Sequence, residues 1–357
     1  MTEILLTIFF ISVLLIFLGS GIWVAISMVG VSSIGMMLFT TRPVGDAMAT
    51  TIWGASSSWT LTALPLFVWM GEILFRTKLS ENLFEGLSPW MQKLPGGLVH
   101  VNVVGCALFA AISGSSAATV ATVGKMSIPE LRKRKYPESI LLGSLAGSGT
   151  LGLLIPPSII LIIYGVTVQE SIAKLFIAGI VPGIMIALIF MTYVMIWSLI
   201  NKKSMPTFKQ DFSLMEKVRK SGKLIPVILL IVSVIGSIYT GIATATEAAS
   251  LGVVGALILS YFQKSLSLRT FKESLLGATK TSCMIAFILA GATFLSLAMG
   301  FTGLPRNLAL WIEGMELSPY VLIFVLMIFY IILGMFLDGI SAVVLTMAII
   351  EPMIRQA

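Results

Sequence analysis

Charge and histidine are scarce in this sequence of 357 residues. Only 11% of the residues are charged, against about a quarter in soluble domains. The two cysteines, Cys106 and Cys283, lie in apolar stretches without a cysteine partner nearby, so they predict neither a disulfide framework nor a metal site. We interpret both as small core residues. We interpret His100, the single histidine, as an interfacial residue at the start of a helix.

The sequence lacks the residues that several functional classes require. No G-x-x-x-x-G-K-[ST] phosphate-binding motif occurs, so any coupling energy must come from ion gradients. An intramembrane enzyme would need a His/Asp or Glu cluster or a Ser/Lys dyad, and the only histidine stands at a helix start. The net charge of +7 does not indicate nucleic acid, because the basic residues lie in short loops between apolar stretches, where they set topology.

Apolar residues are abundant instead. Hydrophobic residues make up 57% of the chain, and the mean hydropathy is +1.02. Many apolar stretches of about 17 to 24 residues fit a hydrocarbon core of about 30 Å, which predicts an all-α polytopic membrane protein in the lipid bilayer. The first stretch, residues 4–18, has no basic flank before it and no small-residue cleavage site after it. It is therefore predicted to be a retained span and not a cleaved signal.

Two apolar helical patterns are broken in the middle. Residues 98–131 are broken at 113–116 and predict a re-entrant hairpin, and residues 138–165 are interrupted between Ser148 and Ser158. In hydrocarbon each unpaired backbone group costs several kcal/mol, so such breaks persist where protein, water or a ligand satisfies them. Two structural alternatives stay open: small residues at a close helix contact for the first break, and a simple proline kink for the second.

The breaks predict ion and substrate sites. Unwound backbone supplies carbonyls for sodium, while half-helix N-termini favour an anionic substrate. The predicted first sodium site consists of Ser113, Gly114, Ser115, Gly152, Ile155 and Pro157. The predicted second sodium site consists of Asp338, Gly339 and Ser341. The predicted substrate-binding hydroxyls are those of Ser116, Thr150 and Ser158. Asp338 is an intramembrane carboxylate and hence a functional candidate, with a water-exposed span end as its alternative.

The second half of the chain repeats the first. Leu79-x-x-Asn82-Leu83 recurs as Leu304-x-x-Asn307-Leu308, and the 113–117 break recurs at 338–342 with the same offset. We therefore divide the chain into a first repeat (1–200), a basic cytoplasmic loop (201–223) and a second repeat (224–357). The second repeat ends after its hairpin, which is predicted at about 320–354. An interrupted span and a closing span are missing from the second repeat, so the sequence is expected to be truncated at its C-terminal end.

Each repeat is predicted to cross the membrane five times, an odd number, so the second repeat must be inverted relative to the first. Most of the 23 lysines and arginines then fall on one face, which the positive-inside rule assigns to the cytoplasm. The N-terminus is thus predicted to be outside.

Locally, Glu72 and Arg76 are expected to pair, Glu247 to support a helix N-terminus, and residues 45–58 to form a polar lead into the third span.

The chain resembles the large membrane subunit of TRAP transporters, the tripartite ATP-independent periplasmic carriers. The resemblance rests on SGSSAATVATVG (113–124), GSGTLGLLIPPSIILIIYG (147–165), IAGIVPG (177–183), GIATATEAASLG (241–252) and GMFLDGIS (334–341). It implies an elevator-type, sodium-coupled importer in the bacterial inner membrane, working with a small four-helix membrane subunit and a periplasmic solute-binding protein.

Under this interpretation the substrate is a small organic anion such as a dicarboxylate, a sialic or other sugar acid, or a keto acid. No cofactor is expected, and sodium is the coupling ion. Two alternatives stay open within the same architecture: a stand-alone sodium/anion symporter, and a nonfunctional or regulatory truncated subunit.

Overall fold

The computed structural model describes residues 2–76, 79–206, 212–315, 318–335, 337 and 339–356. The regular elements of these residues are helices. In the first half they are α1 Thr2–Gly19, α2 Val24–Phe39, α3 Val44–Ser56, α4 Ala63–Phe75, α5 Leu79–Met91, α6 His100–Ser113, α7 Ser116–Lys133, α8 Glu138–Gly149, α9 Ile159–Val168 and α10 Ile172–Ile200. In the second half they are α11 Leu214–Ser221, α12 Ile225–Tyr239, α13 Ala245–Phe262, α14 Leu268–Thr302, α15 Leu304–Glu313, α16 Pro319–Gly334 and α17 Gly339–Gln356.

Several helices are long and apolar enough to cross a bilayer. Within the described residues, four meet that length and composition: Ile172–Ile200, Leu214–Tyr239, Ala245–Phe262 and Leu268–Thr302. A fifth arises if α3 and the helical segment through α4 count as one span. Three shorter apolar helices border the breaks: Gly97–Ser113, Ile159–Val168 and Pro319–Gly334. The chain is an all-α, multi-pass membrane protein.

The chain divides into two compact units. One contains Met1–Leu61, Ile163–Glu170 and Ser282–Ala357, and the other contains Thr62–Ile162 and Ser171–Thr281. The second of these, here the core unit, packs α4 against α13, α12 against α13, and α6 against both α7 and α8. Gly252 on α13 allows a close approach to α4, because a Cβ there would lie 2.5 Å from the sulfur of Met70.

The other unit, here the flanking unit, brings α1 onto α2 and α17 onto both α15 and α16. Gly35 on α2 faces the ring of Phe10 on α1, where a Cβ would meet ring carbons at 2.5–2.6 Å. A buried cluster of Met36, Phe294 and Ala298 lies between α2 and α14. Small residues thus set the helix spacing, as is usual for helices that pack inside a membrane.

Local predictions meet mixed outcomes. The Glu72–Arg76 pair is confirmed, with 3.3 Å between Oε2 and Nη2. The helix-start role of Glu247 is confirmed by a capping box with Thr244 at the start of α13. The His100 side chain is fully buried in the protein, and its interfacial position stays a prediction. Cys106 is buried as predicted, whereas Cys283 is exposed, so its assignment to the core is wrong.

Two helices lie where the sequence suggested connecting segments. The polar lead at 45–58 is helical over Val44–Ser56, and the basic segment 201–223 contains α11, Leu214–Ser221. Short helices in polar segments are hard to see in hydropathy, because their signal is the cap and not an apolar stretch. In α11 that cap is a capping box between Ser213 and Glu216.

Candidate functional site

The first helix break lies where the sequence predicts it. Helix α6 ends at Ser113, Gly114 follows in the left-handed region with φ +58°, and Ser115 is the extended N-cap of α7. A Cβ on Gly114 would lie 2.9 Å from the carbonyl oxygen of Pro157 and 3.0 Å from the nitrogen of Ile159. Both the backbone conformation and the close approach therefore require glycine here.

The second break interrupts the span that begins at Glu138. Helix α8 ends at Gly149, a single 3₁₀ turn covers Thr150–Leu153, and α9 begins only at Ile159. The Pro156–Pro157 peptide bond is cis. Neither proline has an N–H to donate, so the carbonyls that precede them have no helical partner there.

The two breaks lie against each other in the core unit. A Cβ on Gly152 would lie 2.8 Å from the carbonyl carbon and oxygen of Ser115 and 2.9 Å from the nitrogen of Ser116. The Ile159 N–H donates to the carbonyl of Gly114 at 3.4 Å. The structure thus brings together Ser113, Gly114 and Ser115 with Gly152 and Pro157, five of the six residues predicted for the first sodium site.

Ile155, the sixth residue, lies in the same break. Its N–H donates to the carbonyl of Leu151 at 2.9 Å, and its side chain contacts α10, where a Cβ on Gly183 would lie 2.8 Å from its Cγ1. The Ile155 side chain therefore fixes the break against α10. Ile155 can then contribute only its backbone oxygen as a ligand to a cation.

Hydroxyl groups organise the tip of the first break. The Ser113 Oγ is 2.9 Å from the Oγ1 of Thr119, and the Thr119 hydroxyl donates to the Ser115 carbonyl at 2.7 Å. Thr119 was missed from the sequence, although its position four residues after the N-cap is the usual one for such a bond. No residue of 113–116 or 148–158 is ionisable, so dipoles alone set the electrostatics of this site.

The predicted substrate hydroxyls have different surroundings. The Ser116 Oγ is buried and has no hydrogen-bond partner in the structure. The Ser158 Oγ is buried and donates to the Leu153 carbonyl, whereas Thr150 is exposed and donates to the Gly147 carbonyl at 2.7 Å. Ser116 is therefore the one of the three whose polar atom is both buried and unused.

A buried polar contact joins the two broken helices before they reach the breaks. The Asn102 Nδ2 on α6 donates to the Leu141 carbonyl at 3.2 Å and to the Ser144 Oγ at 3.0 Å, both on α8. One turn further, the Ser148 Oγ donates to the Asn102 carbonyl at 3.4 Å. These bonds fix the register of α6 against α8, and hence of one break against the other.

Hydrogen bonds from buried side chains also hold the N-terminal end of α6. His100 Nε2 lies 2.8 Å from the Pro95 carbonyl, which can only accept, so Nε2 carries the proton. Tyr136, in the turn between α7 and α8, accepts the Leu98 N–H at 3.1 Å. Burial raises the pKa of Tyr136, which keeps its hydroxyl protonated.

The second predicted sodium site belongs to the flanking unit. Helix α16 ends at Gly334 and α17 begins at Gly339, so a break separates them, and Ser341 is buried in the first turn of α17. Asp338 lies outside the described residues. The two helices are joined by the Tyr330 hydroxyl and the Thr346 Oγ1, 2.6 Å apart.

The described residues contain no group of three or more His, Cys, Asp or Glu side chains able to hold a metal ion. What they contain is a pair of interrupted apolar helices in contact at their unwound segments. These features define a polytopic membrane permease.

The family follows from comparison with known proteins. Residues 10–357 match the family described as the Tripartite ATP-independent periplasmic transporter, DctM component. The chain belongs to this family, the large permeases of TRAP transporters.

Curated relatives agree with this assignment. The C4-dicarboxylate TRAP transporter large permease protein DctM of Pseudomonas aeruginosa is 33% identical over 88% of this chain and 72% of its own length. The 2,3-diketo-L-gulonate TRAP transporter large permease protein YiaN of Escherichia coli is 31% identical over 87% and 72%. The isethionate TRAP transporter permease protein DctMQ of Oleidesulfovibrio alaskensis is 30% identical over 96% of this chain and 53% of its own length.

Proposed function

We propose that this chain is the sodium-coupled permease subunit of a TRAP transporter that imports a small organic anion by an elevator mechanism. The observation that carries the proposal is the contact between the two helix breaks of the core unit, where Gly152 lies against Ser115 and Gly114 lies against Pro157. Discontinuous helices that meet in a membrane are the usual means by which secondary transporters expose carbonyls to a coupling ion.

The first sodium site is assigned to the oxygens around this contact, from Ser113, Gly114, Ser115, Gly152, Ile155 and Pro157. The site has no ionisable side chain, so one monovalent cation is favoured over a divalent ion, which would leave more uncompensated charge in a low dielectric. The second site is assigned to Gly339 and Ser341 with Asp338. The transfer of one sodium ion down a potential of 100 mV supplies about 2.3 kcal/mol.

The substrate is assigned to the N-terminal end of α7. Ser116 begins this helix and has a buried, unused Oγ, and helix N-termini favour anionic groups. Three of the relatives are named for C4-dicarboxylate, 2,3-diketo-L-gulonate and isethionate, each a small organic anion. This range supports the class of substrate without selecting one member.

The same proposal includes the assembly. Its partners are a small four-helix membrane subunit and a periplasmic solute-binding protein, and its location is the bacterial inner membrane with the N-terminus in the periplasm. Helices α12 to α17 would form a second, inverted repeat of α1 to α7. The order of elements supports this: in each half a short helix, α5 or α15, precedes a helix pair with a break, α6–α7 or α16–α17.

Ser115→Leu tests the first sodium site. The branched side chain would be forced into a segment whose backbone leaves no room even for a Cβ on Gly152, so sodium-dependent uptake should be lost while membrane insertion is retained. Uptake of labelled C4-dicarboxylate, diketogulonate and isethionate is measured in proteoliposomes that contain the chain, its small subunit and its binding protein.

The matched control is Ser233→Leu, the same change at an exposed position of α12, which should leave uptake intact. Normal uptake by correctly inserted Ser115→Leu would contradict the site. Uptake that does not depend on the binding protein would instead favour the stand-alone symporter.

A further inference from the structure

Helix α11 presents an apolar and basic surface that the proposed transport function does not use. Three of its apolar side chains are highly exposed: Leu214 at 73%, Met215 at 76% and Val218 at 60%. Arg219 is exposed beside them and Lys220 is partly exposed. We call these five residues the α11 patch.

The adjacent side of α11, which carries Lys217 and Ser221, is docked on α5. The Trp90 Nε1 donates to the Ser221 Oγ at 2.8 Å, and the Ser221 hydroxyl donates to the Gly86 carbonyl at 3.3 Å. The buried Lys217 places its Nζ 5.4 Å from the centre of the Trp90 ring. The rotation of α11 is therefore fixed, and the exposure of the patch follows from that docking and not from a loose helix.

Length places the patch at the level of lipid headgroups. Helix α11, a 3₁₀ turn at Gly222–Leu224 and α12 together form one helical segment of 26 residues, Leu214–Tyr239, which at 1.5 Å per residue is about 39 Å long. The hydrocarbon core is only about 30 Å thick, so about six residues must project beyond it. The basic end, at α11, is the end that favours water and headgroups.

The exposed apolar face of α11 continues into α12. Leu214 and Val218 are followed along the same side by Ile225, Leu229 and Val232, which are 55%, 62% and 59% exposed. This face therefore continues from α11 past the docked Ser221 and the 3₁₀ turn at Gly222–Leu224 into α12, as expected for a surface that contacts lipid.

Charge around the patch has one dominant sign. The one acidic residue of α11, Glu216, is engaged in the capping box with the backbone of Ser213 at 3.0 Å. Basic clusters next to a membrane span attract anionic headgroups. We propose that the α11 patch is a binding site for anionic phospholipid.

Trp90 provides the readout, because brominated lipids quench tryptophan fluorescence on contact. The full chain in detergent is titrated with brominated phosphatidylglycerol or brominated phosphatidylcholine, and the Trp90 signal is isolated by subtraction of the Trp90→Phe variant. Phosphatidylglycerol should quench Trp90 at lower concentration than phosphatidylcholine. Raising the salt concentration should weaken quenching by the anionic lipid only.

The double variant R219Q/K220Q should need about thirty-fold more phosphatidylglycerol for half-maximal quenching. The control K272Q/K280Q removes two charges from exposed positions of α14 in the same unit and should change nothing. Equal quenching by the two lipids, or an equal loss in both double variants, would overturn the site. Absence of Trp90 quenching by either lipid would likewise overturn the site.

Discussion

At the scale of single residues, the candidate site depends on the absence of side chains as much as on their presence. Gly114 and Gly152 let two interrupted helices touch through their backbones, at separations that a single Cβ would make too short. Around them, hydroxyls such as that of Thr119 satisfy the local carbonyls, whereas the Ser116 Oγ at the start of α7 is buried without a partner. An unsatisfied buried hydroxyl is costly, which supports its assignment to a ligand.

Gly152→Ala tests the close contact. The added methyl group would meet the backbone of Ser115 at 2.8 Å, so we expect a destabilisation of about 1–3 kcal/mol from overpacking, together with loss of sodium-dependent thermal stabilisation. The measurement is the thermal unfolding midpoint in detergent with sodium or potassium chloride.

Gly143→Ala is the matched control, because it lies in α8 and a Cβ there meets nothing within 4 Å. It should stabilise the chain by about 0.5–1 kcal/mol through helix propensity. If both alanine variants behaved alike, the backbone contact would have no energetic role.

At the scale of helices, charged residues hold α4 to the start of α14 within the core unit. Arg76 lies between two carboxylates, 3.3 Å from Glu72 and 2.9 Å from Glu273, and Arg269 contacts Glu273 at 2.8 Å. Trp69 donates to the Ser274 hydroxyl beside them at 3.3 Å. The two arginines share one carboxylate but differ in exposure, 28% for Arg76 and 88% for Arg269.

Removal of each arginine should therefore have unequal effects. Arg76→Met leaves two carboxylates without their shared partner in a partly buried place and should cost about 1–2 kcal/mol, between the values for exposed and buried pairs. Arg269→Met should lower the unfolding midpoint much less, because exposed pairs contribute little to stability. The measurement is the thermal unfolding midpoint of both variants. An equal decrease in the two midpoints would show that exposure does not set the strength of this cluster.

At the scale of the whole molecule, the two predicted sodium sites belong to different compact units. The 113–116 and 148–158 breaks lie in the core unit, and the break between Gly334 and Gly339 lies in the flanking unit. The proposed repeat pairs these breaks, but only the second has a carboxylate, Asp338. The two sites are thus chemically different, one neutral and one acidic.

Asp338→Asn should consequently change the sodium dependence of uptake. Loss of the negative charge should raise the sodium concentration for half-maximal uptake by about tenfold, equivalent to about 1.4 kcal/mol. Asp46→Asn removes the same charge from an exposed position in the first turn of α3 and should leave that concentration unchanged. An unaltered sodium response in Asp338→Asn would remove the carboxylate from the second site.

Sequence alone was a good guide to the helices and to their interruptions. Apolar stretches and Ser, Gly and Pro clusters are local signals, so the ends of α6 and α8 and the Glu72–Arg76 pair could be predicted within a residue or two. Helices α3 and α11 were less visible, because α3 is short and only moderately apolar and α11 is a short polar helix with a capping box.

The amino-acid sequence by itself determined that the chain is a membrane protein, where its helices break, and the family to which it belongs. Hydropathy, backbone chemistry and motif order are local properties of the sequence, so they can be recognised without a structure. Only the tertiary structure decided that Gly152 meets Ser115, that Asn102 reaches α8 and that His100 is buried. Such contacts depend on how helices distant in sequence pack together. The identity of a side chain does not specify which distant residue will be its hydrogen-bond partner.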